Sequence, residues 1–176
     1  MTQNYSSQNT LLLNNLISYY KTNDYLDRMI KIINGDVTIS LRIVDWFTTN
    51  YAKKFYTVYD LQTNGNRFKV YNDYKLKLRS YSKRRFDPFC RWDRISIPYK
   101  NGTFIETTIG QLNFFKWALE NNVVKFIEEN YDTIEKDMNN RNSTSKRKET
   151  IVDNSKTRKK REELSISATK SIKKEK

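Results

Sequence analysis

A chain of 176 residues with 33 Lys/Arg against 20 Asp/Glu, a net charge of +13, no His and a single Cys excludes much chemistry at the outset. Without His there is no Ser-His-Asp or Cys-His catalysis and no His-ligated metal, and Cys90 alone makes neither an internal disulfide nor a Cys-rich zinc site. No Gly-rich dinucleotide loop, Walker loop or EF-hand spacing occurs and no carboxylates pair within a catalytic motif, so the expectation is a non-enzymatic binding protein without catalytic residues, metal or cofactor.

From about Leu11 to Met138 large apolar and aromatic residues recur every few positions, and after Asn139 they almost vanish. This divides the chain into a flexible N-terminus (1–8), a helical globular domain (9–140) and a disordered Lys/Arg-rich tail (141–176). Met1 to Asn9 is polar and uncharged, without the basic and apolar stretches of a signal peptide. No run approaches the roughly 20 apolar residues of a membrane span. The expectation is an intracellular protein with no membrane partner.

In chain order, Asn9 to Tyr20 carries Leu12, Leu13, Leu16, Ile17 and Tyr20 at one-face helical spacing. Asp24 to Ile33 repeats the pattern, and Asn34-Gly35 supplies its stop. Ser40 caps a third helix running to about Lys54, with apolar coverage wide enough for a central, buried position. Phe55 to Leu61 reads as extended, and Asn64-Gly65-Asn66 as a turn. Phe68 to Tyr81 fits either helix or strand, and its length favours helix. Asp87-Pro88 ends that element, because the residue before proline is pushed out of helical geometry. Arg94 to Tyr99, Lys100-Asn101-Gly102 and Thr103 to Thr107 form a β-hairpin, since Asn-Gly is the strongest short hairpin signal. Pro98 puts that strand at an edge. Thr108 and Gln111 make a capping box for a helix broken at Asn121-Asn122. Val123 to Asn139 is the last helix. The fold class is mainly α: a compact helical domain with one small β-hairpin (about 94–107) and a disordered basic C-terminal tail.

Charge is concentrated in two places. Residues 141–176 hold thirteen Lys/Arg against five Asp/Glu, a net of +8, and residues 67–100 hold eleven against three, again +8. The second block contains Tyr81-Ser-Lys-Arg-Arg-Phe-Asp-Pro-Phe-Cys-Arg-Trp-Asp-Arg94. Guanidinium and ammonium groups bind phosphates and aromatic faces stack on unpaired bases. Tyr81, Lys83, Arg84, Arg85, Arg91, Trp92 and Arg94 are therefore the candidate nucleic-acid-binding residues, for DNA or RNA without sequence specificity. A structural reading stands beside this one: Phe86, Phe89 and Trp92 recur every third residue as core residues do, and Asp87 and Asp93 are available to pair with Arg84, Arg91 or Arg94. An arginine cluster also suits an acidic protein partner.

In the tail, Lys146-Arg147, a ten-residue spacer and Arg158-Lys159-Lys160-Arg161 have the spacing of a bipartite nuclear-import signal. A non-specific nucleic-acid arm and a solvated linker end are the competing readings of the same residues. The tail serines are candidate phosphorylation sites, which would lower its charge.

Ile39-Ser-Leu-Arg-Ile-Val-Asp-Trp-Phe-Thr-Thr-Asn-Tyr-Ala-Lys-Lys54, Tyr81-Ser-Lys-Arg-Arg-Phe-Asp-Pro-Phe-Cys-Arg91 and Glu106-Thr-Thr-Ile-Gly-Gln-Leu-Asn-Phe-Phe-Lys-Trp-Ala-Leu119 resemble a family of small uncharacterised proteins of giant nucleocytoplasmic DNA viruses of the mimivirus kind. The similarity covers roughly residues 25–138. It implies a viral protein located in the virion or virus factory, or in the host nucleus if the import signal is used. It carries over no catalytic residues. The expected function is a basic, nucleic-acid-associated viral protein. The alternative is a virion structural or adaptor protein whose partners are acidic viral or host proteins.

Overall fold

A computed structural model describes residues 2–149 apart from 23, 63, 64, 90, 91 and 93, with side chains described between residues 8 and 143. In chain order it contains α1 (Thr2–Thr22), α2 (Tyr25–Asn34), α3 (Leu41–Trp46), a π-helical turn (Phe47–Tyr51), α4 (Ala52–Lys54), β1 (Val58–Asp60) and β2 (Arg67–Lys69). There follow α5 (Val70–Phe86), β3 (Arg94–Pro98), β4 (Phe104–Thr108), α6 (Ile109–Glu120), α7 (Val123–Glu129) and α8 (Tyr131–Glu149). The fold is mainly α, as expected, with two antiparallel hairpins rather than one, β1 on β2 and β3 on β4.

Helix α6 is the centre. Ile109, Leu112, Phe114, Phe115, Trp117, Ala118 and Leu119 are all buried, and so are Gln111 and Asn113. A helix apolar on nearly every side is stable only when surrounded. Tyr20 of α1 donates its hydroxyl to the Leu112 carbonyl (2.6 Å), and Tyr59 of β1 donates to the Asn121 carbonyl just past α6 (2.5 Å). Burial raises both phenol pKa values, which keeps each a neutral donor. The helix starting at Leu41, expected at the centre, buries Leu41, Ile43, Val44, Phe47, Thr48 and Ala52 but leaves Trp46 and Tyr51 half-exposed.

Several elements form for local reasons the sequence displays. Gly35 adopts φ 76°, and its N–H and that of Asp36 close onto Ile32 and Lys31, ending α2. Ser40 Oγ accepts from the Ile43 N–H (3.2 Å), capping α3. Asn101 (φ 59°) and Gly102 (φ 73°) turn the β3–β4 hairpin, which pairs Ile97 with Ile105. Thr108 Oγ1 accepts from the Gln111 N–H (3.1 Å), but the box is not reciprocal. Gln111 bonds the Thr107 hydroxyl (2.7 Å) and the Pro88 carbonyl (3.1 Å), tying the segment after α5 to the start of α6.

Other elements depart from expectation. Helix α1 is helical from Thr2, where the sequence suggested a flexible segment through residue 8, and α8 continues to Glu149 past the expected boundary at 140. The last helix is two, because Asn130 leaves helical geometry (φ −122°, ψ 25°). In the π turn the Thr48 and Thr49 hydroxyls bond the Val44 and Asp45 carbonyls, competing with the backbone ladder. Phe68, expected in a helix, lies in β2 opposite Tyr59, with ring centroids 5.5 Å apart. Helix α5 then runs on to Phe86, past Tyr81, with Ser82 at φ 65° and ψ 166°.

Among the described residues, no helix is long and apolar enough to cross a membrane.

Candidate nucleic-acid interface

The basic block at 67–100 is built around α5, not around a loop. Tyr81, Lys83, Arg84 and Arg85 all belong to α5, whose chain bends at Ser82. Ser82 takes a φ that a non-glycine residue adopts at a cost. The bend returns Phe86 to the core, where it is 1% exposed and packs on Phe114 and Trp117 with centroids 5.6 Å from each. Tyr81 stacks on Phe86 (6.0 Å, 22° between planes) and is half-buried. Lys83 and Arg84 stay exposed, while Arg85 is half-buried and its carbonyl accepts from Asn113 Nδ2 (2.9 Å).

The two readings of the Arg-aromatic segment divide residue by residue. Phe86 is core and Phe89 packs partly against it, but Trp92 is 66% exposed. The Arg84 guanidinium lies 5.6 Å from the centroid of the Trp92 ring, a cation–π contact on the surface. Asp87 accepts the Phe89 N–H (2.9 Å), closing a local turn. Arg94 is paired with Glu106 across the hairpin at 3.0 Å, with Glu106 largely buried. Arg94 thus has an ion-pair partner within its own hairpin. Arg91, with Cys90 and Asp93, lies outside the described residues.

The structure adds residues that spacing alone did not single out. On α5, Asn72, Lys75, Leu76, Arg79 and Ser80 are exposed together, followed by Lys83 and Arg84 beyond the bend. Lys75 and Arg79 are one turn apart, about 6 Å along the axis. No acid is exposed on α5. Its one carboxylate, Asp73, is half-buried and accepts the Trp117 indole N–H at 2.6 Å. Seen as a helix, the run Lys75-x-x-x-Arg79 is a solvent-face repeat, whereas an alternating reading of Lys75, Lys77 and Arg79 hides it.

Beyond the first turn of α5 the basic surface continues onto α4. Lys53 Nζ and Lys75 Nζ both approach the Tyr71 ring, at 5.7 and 5.6 Å from its centroid. The Val70 N–H donates to the Thr57 carbonyl (3.2 Å), which fixes the segment after α4 against the start of α5. Lys54 turns away to Asp137 of α8 (2.9 Å), whose other oxygen accepts the Trp46 indole N–H (3.1 Å).

A different polar cluster joins the β3–β4 hairpin to α2. Tyr99 and Lys100, at the tip of the β3–β4 hairpin, donate to the two carboxylate oxygens of Asp27 on α2, at 2.5 and 2.6 Å. Those two hydrogen bonds hold the Asp27 carboxyl below the usual carboxylate range, and the same carboxylate raises the Tyr99 phenol. This cluster fastens the hairpin to α2. Among the described residues no group of three or more His, Cys, Asp or Glu is arranged to hold a metal ion.

Lys146 and Arg147 of the expected import signal fall within the span of α8, and Arg158, Lys159, Lys160 and Arg161 lie outside the described residues.

Over residues 2–175 the chain matches a protein family described as a family of unknown function (DUF7197). It is 46% identical over 132 residues to "Uncharacterized protein L507" of Acanthamoeba polyphaga mimivirus, an alignment covering 71% of this chain and 50% of that protein. The chain thus spans about half the length of this curated relative. No solved structure matches it. By these sequence relationships the chain belongs to this uncharacterised protein family of giant DNA viruses.

Proposed function

We propose that this viral protein is a non-enzymatic, nucleic-acid-associated protein that holds the phosphate backbone along the outer face of α5. The observation that carries the reading is the exposed series Lys75, Arg79, Lys83 and Arg84, with the only acid of that helix turned inward onto Trp117. A helix with several exposed cations and no exposed acid of its own attracts polyanions and needs no sequence-reading contact. Trp92, exposed beside Arg84, adds an aromatic face suited to an unpaired base. The basic residues beyond 140 add non-specific affinity.

Salt titration of binding to DNA and to RNA tests the proposal. Each phosphate neutralised contributes about −0.9 to the slope of log K against log salt on duplex DNA and about −0.7 on a single strand. A steep slope that loses about one unit with each of Arg79→Ala and Lys83→Ala is the expected result. Absence of binding at low salt would remove the reading. Co-purification with acidic viral proteins instead of nucleic acid would transfer the same cations to an adaptor role. The setting we infer is the virion or virus factory. Nuclear entry would require the basic clusters at 146–147 and 158–161, and deleting 146–161 without change in location would eliminate that route.

A further inference from the structure

We infer a second aromatic contact site, at Phe55 and Tyr56, that makes the α5 surface a track for single-stranded nucleic acid rather than duplex. The inference rests on the proposed function and adds the form of nucleic acid and the residues that select it.

Phe55 and Tyr56 follow α4 directly and are 52% and 59% exposed. Two adjacent aromatic rings in water lose the burial that normally places such residues inside. Tyr56 also has φ 48°, a left-handed conformation that a bulky non-glycine residue rarely adopts. The surrounding chain enforces it: the Phe55 N–H is bound to the Tyr51 carbonyl and the Thr57 N–H to the Ala52 carbonyl, and Thr57 in turn accepts from Val70. Exposure and a positive φ thus coincide at Tyr56, while the Phe55 ring packs on one side against that of Tyr51, with centroids 4.6 Å apart.

Cations lie near the pair. Lys54 Nζ is 4.9 Å from the Phe55 ring centroid while paired with Asp137, and Lys53 and Lys75 both approach the ring of Tyr71 at the start of α5. The composition matches that at the far end of α5, where Arg84 sits over the exposed Trp92. From Tyr71 to Tyr81, before the bend at Ser82, the helix rises about 15 Å. Exposed aromatic rings therefore stand beside cations near both ends of α5, with Arg79 exposed between them. Paired bases in a duplex are stacked on one another and present only edges, so flat aromatic faces have nothing to stack on there. A single strand offers a free face at every base, and aromatic stacking is tolerant of sequence.

The test uses the full chain with a short fluorescein-labelled oligothymidylate, an abasic sugar-phosphate strand and a duplex, all of one length. The expected result is tighter binding of the oligothymidylate than of the other two. Phe55→Ala and Tyr56→Asn should each weaken oligothymidylate binding by about ten-fold and leave duplex binding unchanged. Tyr56→Asn is the discriminating variant, because Asn accepts a left-handed φ. Its melting temperature should stay level or rise while affinity falls, the reverse of what a structural role for the ring would give. If both variants bind oligothymidylate like the parent while Arg79→Ala weakens every probe, the second contact is wrong and the phosphate-binding face stands. Should strand and duplex bind equally well, single-strand selection is wrong. If no probe binds, both readings fall.

Discussion

The indole N–H of Trp117, in the central helix, donates to the carboxylate of Asp73 at 2.6 Å and holds the one acidic residue of α5 against the core. Packing and surface charge meet in this bond. Trp117 is 4% exposed, so its N–H has no ready access to water when its partner is lost. Asp73→Ala should destabilise the protein by about 1–3 kcal/mol, the cost of leaving a buried donor unsatisfied. Asp73→Asn keeps an acceptor and should cost less. Urea unfolding of the two variants measures the difference; equal midpoints for Asp73→Ala and the parent would show that the bond is dispensable.

Trp92 should behave in the opposite way. With 66% of its surface exposed, truncation to Ala should change stability by less than about 0.5 kcal/mol. Stacking on a base is worth about 1–3 kcal/mol, so Trp92→Ala should lower affinity for a single strand several-fold or more. The other tryptophans report separately, because Trp46 and Trp117 have their indole N–H groups engaged by Asp137 and Asp73. Fluorescence quenching on addition of oligonucleotide should therefore disappear in Trp92→Ala. Persistent quenching would locate the contact elsewhere.

Arg79 and Arg94 separate charge that is available from charge already committed. Arg94 is engaged with Glu106 at 3.0 Å, whereas Arg79 stands on the solvent face of α5. Arg79→Ala should weaken nucleic-acid binding and lower the salt slope by about one unit. Arg94→Ala should leave the slope nearly unchanged. It should instead loosen the β3–β4 hairpin, where a partly exposed pair contributes up to about 1 kcal/mol. Equal slopes for both variants would show that the Glu106 pair opens on binding.

The contrast between those two arginines marks what the sequence displayed and what it concealed. Caps and turns were legible at Gly35, Ser40, Asn101-Gly102 and Thr108, because each works through its own side chain and the next few backbone groups. The burial of α6 was visible as apolar surface, but its central place was not, since that depends on what covers the helix from elsewhere in the chain. Ser82 carries no signature of a positive φ. Its conformation follows from Phe86 reaching Phe114 and Trp117, contacts about thirty residues distant in sequence. The β1–β2 hairpin, which the sequence did not display, has strands of three residues, too short to show a period. In the candidate site, the Arg-aromatic composition was plain. Sorting Trp92 outward, Phe86 inward and Arg94 onto Glu106 required tertiary contacts.

The Asp27 cluster gives a pH dependence whose sign is determined. Hydrogen bonds from Lys100 and Tyr99 lower the Asp27 pKa in the folded protein, so folding favours the carboxylate. Its contribution is therefore fully present above the unfolded value, about 3.9 for Asp, and is lost as pH falls through the lower folded value. Tyr99 is shifted upward, chiefly by its hydrogen bond to Asp27, and contributes below the unfolded value of about 10. That contribution is lost as pH rises through the folded value. The hairpin's attachment to α2 should thus hold across neutral pH and weaken at both extremes. At neutral pH Tyr99→Phe should cost about 1 kcal/mol, a hydrogen bond to a charged acceptor discounted for its partial exposure. Asp27→Asn should be less stable than the parent at neutral pH, and the gap should close below about pH 3.9 as the parent's carboxylate protonates. Urea midpoints of parent and Asp27→Asn across that range decide the matter, and a gap that does not change with pH would mean that the carboxylate's charge plays no part in fastening Tyr99 and Lys100.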